Sequence, residues 1–134
     1  MEEIKEPGKI LFPELSYQIM GLIFEVFNQL GPGFTEVIYE KALIHELERH
    51  GIPFEAQKCI DVYYKGQNLG EFRLDLIIDG KIILELKAVK ELSDLFRRQL
   101  ASYLKATGIP LGILVNFGAD RVQSTRIVLD TYSK

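Results

Sequence analysis

The chain has 134 residues, 47% of them hydrophobic and 26% charged, with a net charge of −3 from 16 basic and 19 acidic residues. That length suits one domain, spanning 1–134, which buries roughly two thirds of its unfolded surface and needs neither disulfide nor metal to fold. The lone Cys59 excludes an intrachain disulfide and fits a reducing, cytoplasmic setting. No apolar run approaches the ~20 residues of a membrane span, and the acidic, polar start is no signal peptide. Cys59 has no Cys or His at ligand spacing, which argues against zinc. The acidic balance speaks against a dedicated nucleic-acid binder. A local basic rim would still serve a nuclease, and carboxylates that hold metal lower the formal count.

In chain order, residues 1–12 read as a loose arm. Pro13 is placed as an early helix residue. Leu15, Ile19, Leu22, Ile23, Val26, Phe27 and Leu30 then recur at three and four, predicting an amphipathic helix closed by Gly31. A second helix is expected from about Thr35 to Arg49, with Ile38, Ala42, Leu43 and Leu47 as its buried stripe. Ile60, Val62, Tyr63 and Tyr64 favour a strand, and Lys65-Gly66-Gln67-Asn68 a turn. Further strands are expected over Glu71–Ile78 and Lys81–Val89. A helix follows over Leu92–Ala106, with Leu92, Leu95, Phe96, Leu100 and Tyr103 on its apolar side, and Thr107-Gly108-Ile109-Pro110 stops it. Leu111–Phe117 suits a buried strand, and Arg121–Leu129 an edge strand. The order is ααβββαββ, a mixed layered α/β domain.

Side chains alternate along a strand, so Ile83, Glu85 and Lys87 share one face and Ile82, Leu84, Leu86 and Ala88 the other. A bland reading is a solvated edge strand or a simple ion pair, but Ile83 on the charged face argues against full solvation. Asp75 is another charge among apolar neighbours, in a residue type that forms strands poorly. If Asp75 and Glu85 share a face, two carboxylates converge beside one ammonium. They repel unless a cation lies between them. An oxygen-only donor set suits Mg²⁺ or Mn²⁺.

Register decides whether they meet. A two-residue Asp79-Gly80 loop pairs Ile78 with Lys81 and sets Asp75 on the wrong face from Glu85. A three-residue loop, Ile78-Asp79-Gly80, pairs Ile77 with Lys81 and brings Asp75 opposite Ile83, diagonal to Glu85. A type I turn followed by a left-handed Gly80 fits that loop. An odd-length loop or a compensating bulge is therefore expected.

Asp75 followed by Glu85-Leu86-Lys87 resembles the D…ExK core of the PD-(D/E)XK nuclease superfamily. Gln99 and Tyr103, one helical turn apart, are similar to the QxxxY pair of its RecB-like exonuclease branch. Gly33-Phe34-Thr35-Glu36-Val37-Ile38-Tyr39, with Leu30-Gly31-Pro32-Gly33, Leu104–Gly108 and Val115–Gly118, resembles the GxxExxY protein family over about Leu15–Leu129. The resemblance implies a restriction-endonuclease-like core with a mixed central sheet flanked by helices. It implies metal ligation by Asp75, Glu85 and the Leu86 carbonyl. Lys87 would orient the attacking water or stabilise phosphate charge, Glu36 would add an acidic group, and Gln99 and Tyr103 would border the site. No clear basic run is present; Lys87, Lys90, Arg97, Arg98 and Lys105 are the best phosphate-gripping candidates.

Plainer roles stand beside these. Gln99 and Tyr103 also suit ordinary helix surface and core, Tyr39 suits core packing, and Glu36 suits the positive end of a helix dipole. Asn116 either lines a site or caps a turn. The function expected is a Mg²⁺-dependent phosphodiesterase acting on DNA or RNA. The alternatives are a catalytically weak binding or accessory module, or a structural protein in which the charged cluster is a buried ion network. A domain this small admits a homodimer that surrounds a duplex.

Overall fold

The computed structural model describes residues 11–129. Of the arm expected at 1–12, only Leu11 and Phe12 fall within that range, and both pack against the core. Helices α1 (Pro13–Leu30) and α2 (Glu36–Arg49) precede strands β1 (Phe54–Tyr64), β2 (Gln67–Ile78) and β3 (Ile82–Lys87). Helix α3 (Asp94–Thr107) and strands β4 (Leu111–Asn116) and β5 (Gln123–Val128) follow within the described residues. The sheet order is β1-β2-β3-β4-β5. Only β3 and β4 pair in parallel, across the α3 crossover; the remaining neighbours are antiparallel. This is the expected mixed α/β arrangement.

Both helix ends flagged by glycine hold. Pro13 opens α1 and Gly31, at φ 71°, closes it by donating its N–H to Phe27. Gly108, at φ 77°, closes α3 in the same way on Leu104. Helices α1 and α2 cover one sheet face, where Ile19, Ile23, Tyr39, Leu43 and Leu47 meet Leu76, Ile82, Leu84 and Ile113. Helix α3 covers the other, setting Leu100 and Leu104 against Leu74, Ile77, Ile83 and Leu114. Strand β3 is thus sandwiched, which is why it reads as nearly continuous apolar sequence.

Three expectations are corrected. On α2 the stripe runs through Tyr39 rather than Ile38, which is 41% exposed. The Tyr39 ring stacks on Phe117 at 4.3 Å, while its hydroxyl donates to the Gly31 carbonyl and accepts from the Phe34 N–H. An aromatic with a satisfied polar tip outcompetes an aliphatic for that position. On α3, which begins only at Asp94, Leu95 is 68% exposed, and the buried positions are Leu100 and, one turn after it, Leu104. The loop between β2 and β3 is odd in length, as expected, but it is Asp79-Gly80-Lys81. Asp79 as well as Gly80 is left-handed, at φ 54° and 65°. The Asp79 N–H donates to the Pro53 carbonyl at 2.8 Å and the Lys81 N–H to Ile78 at 2.9 Å, which fixes the turn one residue later.

Candidate functional site

Ile78 pairs with Ile82 and Leu76 with Leu84, and continuing that count sets Asp75 directly opposite Glu85. Backbone pairing stops at Leu76, and the two carboxylates take over the ladder. Glu85 Oε2 accepts the Asp75 N–H at 3.0 Å, and Asp75 Oδ2 accepts the Leu86 N–H at 2.8 Å. In an extended chain a residue's N–H and C=O project to the same side. The Leu86 carbonyl therefore faces the same gap as its N–H.

The ribbon β1–β2 explains why Asp75 can reach sideways. Phe72 and Leu74 belong to the α3-side core, whereas Leu76 and Ile78 belong to the α1/α2-side core. Strict alternation would put all four on one face. The faces reverse at Asp75 and at Gln57, the β1 residue opposite it, whose φ of 56° is left-handed. The ladder pairs Ala56 with Leu76 and Lys58 with Leu74 and skips the level between them. Asp75 thus stands where the pleat breaks, free to aim its carboxylate across at β3.

Glu85 is only 6% exposed. Burial first, and the neighbouring Asp75 charge second, raise its pKa from 4.5 to about 8, against the lowering influence of the Asp75 N–H and of Lys87. Lys87 follows on the same strand face, and its ammonium lies 4.5 Å from the centre of the Phe96 ring. Tyr103 stacks on Phe72 at 4.4 Å, and its hydroxyl pKa is raised by burial and by the charges of Glu85 and Asp75. Gln99 is exposed one turn earlier on α3, and Glu36 is exposed in the first turn of α2. Sequence reasoning did not single out Glu40 or Gln57. The Gln57 amide donates to both Glu40 oxygens, at 2.9 and 3.0 Å. The spacing of Glu40 one turn after Glu36 was a usable signal; for Gln57 the sequence offered none.

The basic candidates are less convergent. Arg97 is held by Asp94 at 2.9 Å. At 100° per residue, Arg98 lies on the opposite side of α3 from Phe96, Leu100 and Tyr103. Asn116 resolves to a structural role. Fully buried, it accepts from the Val89 and Gly118 N–H groups and donates to the Val89 carbonyl and Gln123, stapling the ends of β3 and β4 together.

A divalent cation suits this donor set. Two carboxylates and a backbone carbonyl are hard oxygen ligands, and a carboxylate as buried as Glu85 is stabilised in its charged form by a cation beside it. Among the described residues, no three His, Cys, Asp or Glu side chains converge on one ion position. Further donors would have to come from backbone, water or substrate, as is usual for Mg²⁺.

An α/β fold whose β2–β3 pair interlocks two carboxylates, with a lysine two residues further along the same strand face, has the layout of a nuclease-like class. A sequence profile of the PD-(D/E)XK nuclease superfamily matches residues 13–127, and the chain belongs to that superfamily. The structure is similar to that of the protein SSO0001, with 21% identity and a TM-score of 0.53, covering 88% of this chain. The chain spans only 57% of the length of SSO0001. It is also similar to the alkaline exonuclease LHK-Exo from Laribacter hongkongensis, at 13% identity and a TM-score of 0.52, covering 92% of this chain and 73% of that one. The complex of LHK-Exo with dAMP matches with a TM-score of 0.53 at 13% identity, covering 87% and 70%. At these identities the likeness is one of fold. No curated protein sequence gives a significant match. No described helix is long and apolar enough to cross a membrane.

Proposed function

We propose that this chain is a divalent-metal-dependent nuclease that hydrolyses phosphodiester bonds in DNA or RNA. The observation that carries the reading is the reciprocal interlock of Asp75 and Glu85, which brings two carboxylates together beside Lys87. Asp75, Glu85 and the Leu86 carbonyl would hold Mg²⁺ or Mn²⁺. When bound, the ion supplies Lewis-acid stabilisation of phosphate charge and a more acidic water. Lys87, released from the Phe96 ring, donates to a phosphate oxygen or orients the water. Tyr103 and Gln99 border the site on the α3 side, Tyr103 held by its stack on Phe72. Glu36 adds acidic potential from the start of α2.

We further place the chain in the GxxExxY family and the RecB-like branch, on the motifs at Gly33–Tyr39 and Gln99–Tyr103. We read it as one nuclease-like domain working in the cytoplasm. A homodimer would let so small a domain enclose a duplex. The deoxynucleotide bound to LHK-Exo is consistent with a nucleic-acid substrate.

The test is a cleavage screen over single-stranded, duplex and branched DNA and RNA with Mg²⁺ or Mn²⁺. Activity lost in Asp75→Ala and in Lys87→Ala, with folding retained, supports the proposal; activity that survives both changes rejects it. The net charge of −3 and the capture of Arg97 by Asp94 favour a second reading, a weakly active accessory module. Salt-sensitive binding without cleavage would select it.

A further inference from the structure

We propose that Glu40, oriented by Gln57, is the third acidic group of this site and acts on the bound cation through water. The proposal rests on the metal-dependent reading above. Four observations converge on it. Glu40 is half-buried on α2, whereas Glu36 is exposed. Both Glu40 oxygens are held by a single Gln57 amide, at 2.9 and 3.0 Å. Gln57 is no bystander in the ribbon, since it occupies the left-handed position opposite Asp75 at which the two faces reverse. The same residue that frees Asp75 to reach across to β3 therefore also orients Glu40. Gln57, Asp75 and Glu85 lie at one level across the neighbouring strands β1, β2 and β3, so the residue that holds Glu40 stands in the row that carries both carboxylates.

Glu40 does not join Asp75 and Glu85 in one set of directly converging side chains. Its place is one layer out. A carboxylate carries about four lone-pair directions, and one amide group leaves room for water. Groups in this outer position orient the ligands and waters of a metal, and their loss typically costs about 10- to 100-fold in metal affinity. Gln57 is a positioning residue: it acts on the cation only by holding Glu40.

The test is a Mn²⁺ titration of the full chain, followed by the electron paramagnetic resonance signal of the free ion, which needs no turnover. Circular dichroism checks the fold of each variant. Glu40→Gln is expected to weaken Mn²⁺ binding at least about tenfold, and Gln57→Leu by a similar factor. The double variant should be no weaker than Glu40→Gln alone, because Gln57 acts through Glu40. Glu48→Gln, an exposed carboxylate at the far end of α2, should bind within about twofold of the parent. Wild-type affinity in Glu40→Gln, with binding lost in Asp75→Asn, overturns the role of Glu40 and leaves the metal site standing. Unchanged affinity in Asp75→Asn instead overturns the metal reading itself. Additive losses in the double variant overturn the link from Gln57 to Glu40.

Discussion

Asp75 and Glu85 each complete the other's strand: the Asp75 N–H donates to the Glu85 carboxylate at 3.0 Å, and the Asp75 carboxylate takes the next N–H along, that of Leu86, at 2.8 Å. The carboxylates thereby replace ladder bonds that two apolar residues would have left to the backbone. The arrangement satisfies both amides and places two acids together, with Lys87 the cation that partly offsets their repulsion.

The pH dependence of stability follows from Glu85. Its folded pKa, raised by burial and by Asp75 to about 8, lies above the unfolded value near 4.5. Between these values the folded chain binds the extra proton, so stability is greatest at the acid end of the window and declines as pH rises towards 8. The loss is expected to be on the order of a few kcal/mol. Urea unfolding from pH 5 to 9 should show that decline, and Glu85→Gln should flatten it. A wild-type profile that rises with pH over this window would refute the assignment.

Divalent cation should reverse that decline. An ion between the carboxylates takes the place of the proton, so Mg²⁺ or Mn²⁺ at a hundred times its dissociation constant should stabilise by about 2.7 kcal/mol. The gain should be larger at pH 8.5 than at pH 6, where protons compete. Thermal melts with and without metal test this, and Asp75→Asn should abolish the shift.

Asn116 should matter for stability rather than chemistry. Its replacement by Leu strands the Val89 and Gly118 N–H groups and the Val89 carbonyl. The expected cost is about 3 kcal/mol or more, since each of the three groups left unpaired costs about 1–3 kcal/mol. Denaturant melts at saturating metal would measure it.

Three glycines separate close approach from mere turn chemistry. A Cβ on Gly118 would sit 2.3 Å from the Val89 carbonyl oxygen and 2.4 Å from its nitrogen, so Gly118→Ala must displace backbone. For a Cβ on Gly112 the nearest atoms belong to the Leu100 side chain, at 2.8–2.9 Å. Gly21, within α1, meets nothing within 4 Å. Melting temperatures should fall most for Gly118→Ala and less for Gly112→Ala. Gly21→Ala should raise the melting temperature, by the ~0.5–1 kcal/mol that alanine gains over glycine in a helix.

Tyr39→Phe isolates the polar tip of a core aromatic. The stack on Phe117 survives, but the Gly31 carbonyl and Phe34 N–H lose their partner. A loss of about 1–2 kcal/mol is expected in urea unfolding. An unchanged stability would show that the Gly31–Phe34 turn holds itself.

The sequence by itself determined the order of elements, the helix ends at Pro13, Gly31 and Gly108, and the grouping of Ile83, Glu85 and Lys87. Each follows from local backbone preference or from the two-residue period of a strand. It also determined that the β2–β3 loop must be odd in length if Asp75 is to meet Glu85. Tertiary structure alone decided which odd loop formed, because the Asp79 N–H is fixed by the Pro53 carbonyl, just ahead of β1. It alone decided that Asp75 lies directly opposite Glu85 rather than diagonal to it. The reason is the shift of the loop by one residue, which pairs Ile78 with Ile82; the reversal of the β1–β2 ribbon at Gln57, a left-handed non-glycine residue that no periodicity announces, then leaves the Asp75 carboxylate free to reach β3. Burial chose Tyr39 over Ile38 for the core, and the packing of α2 onto the sheet set Glu40 against Gln57. A strand's alternation is written in its own residues; where it breaks is set by what lies across the sheet.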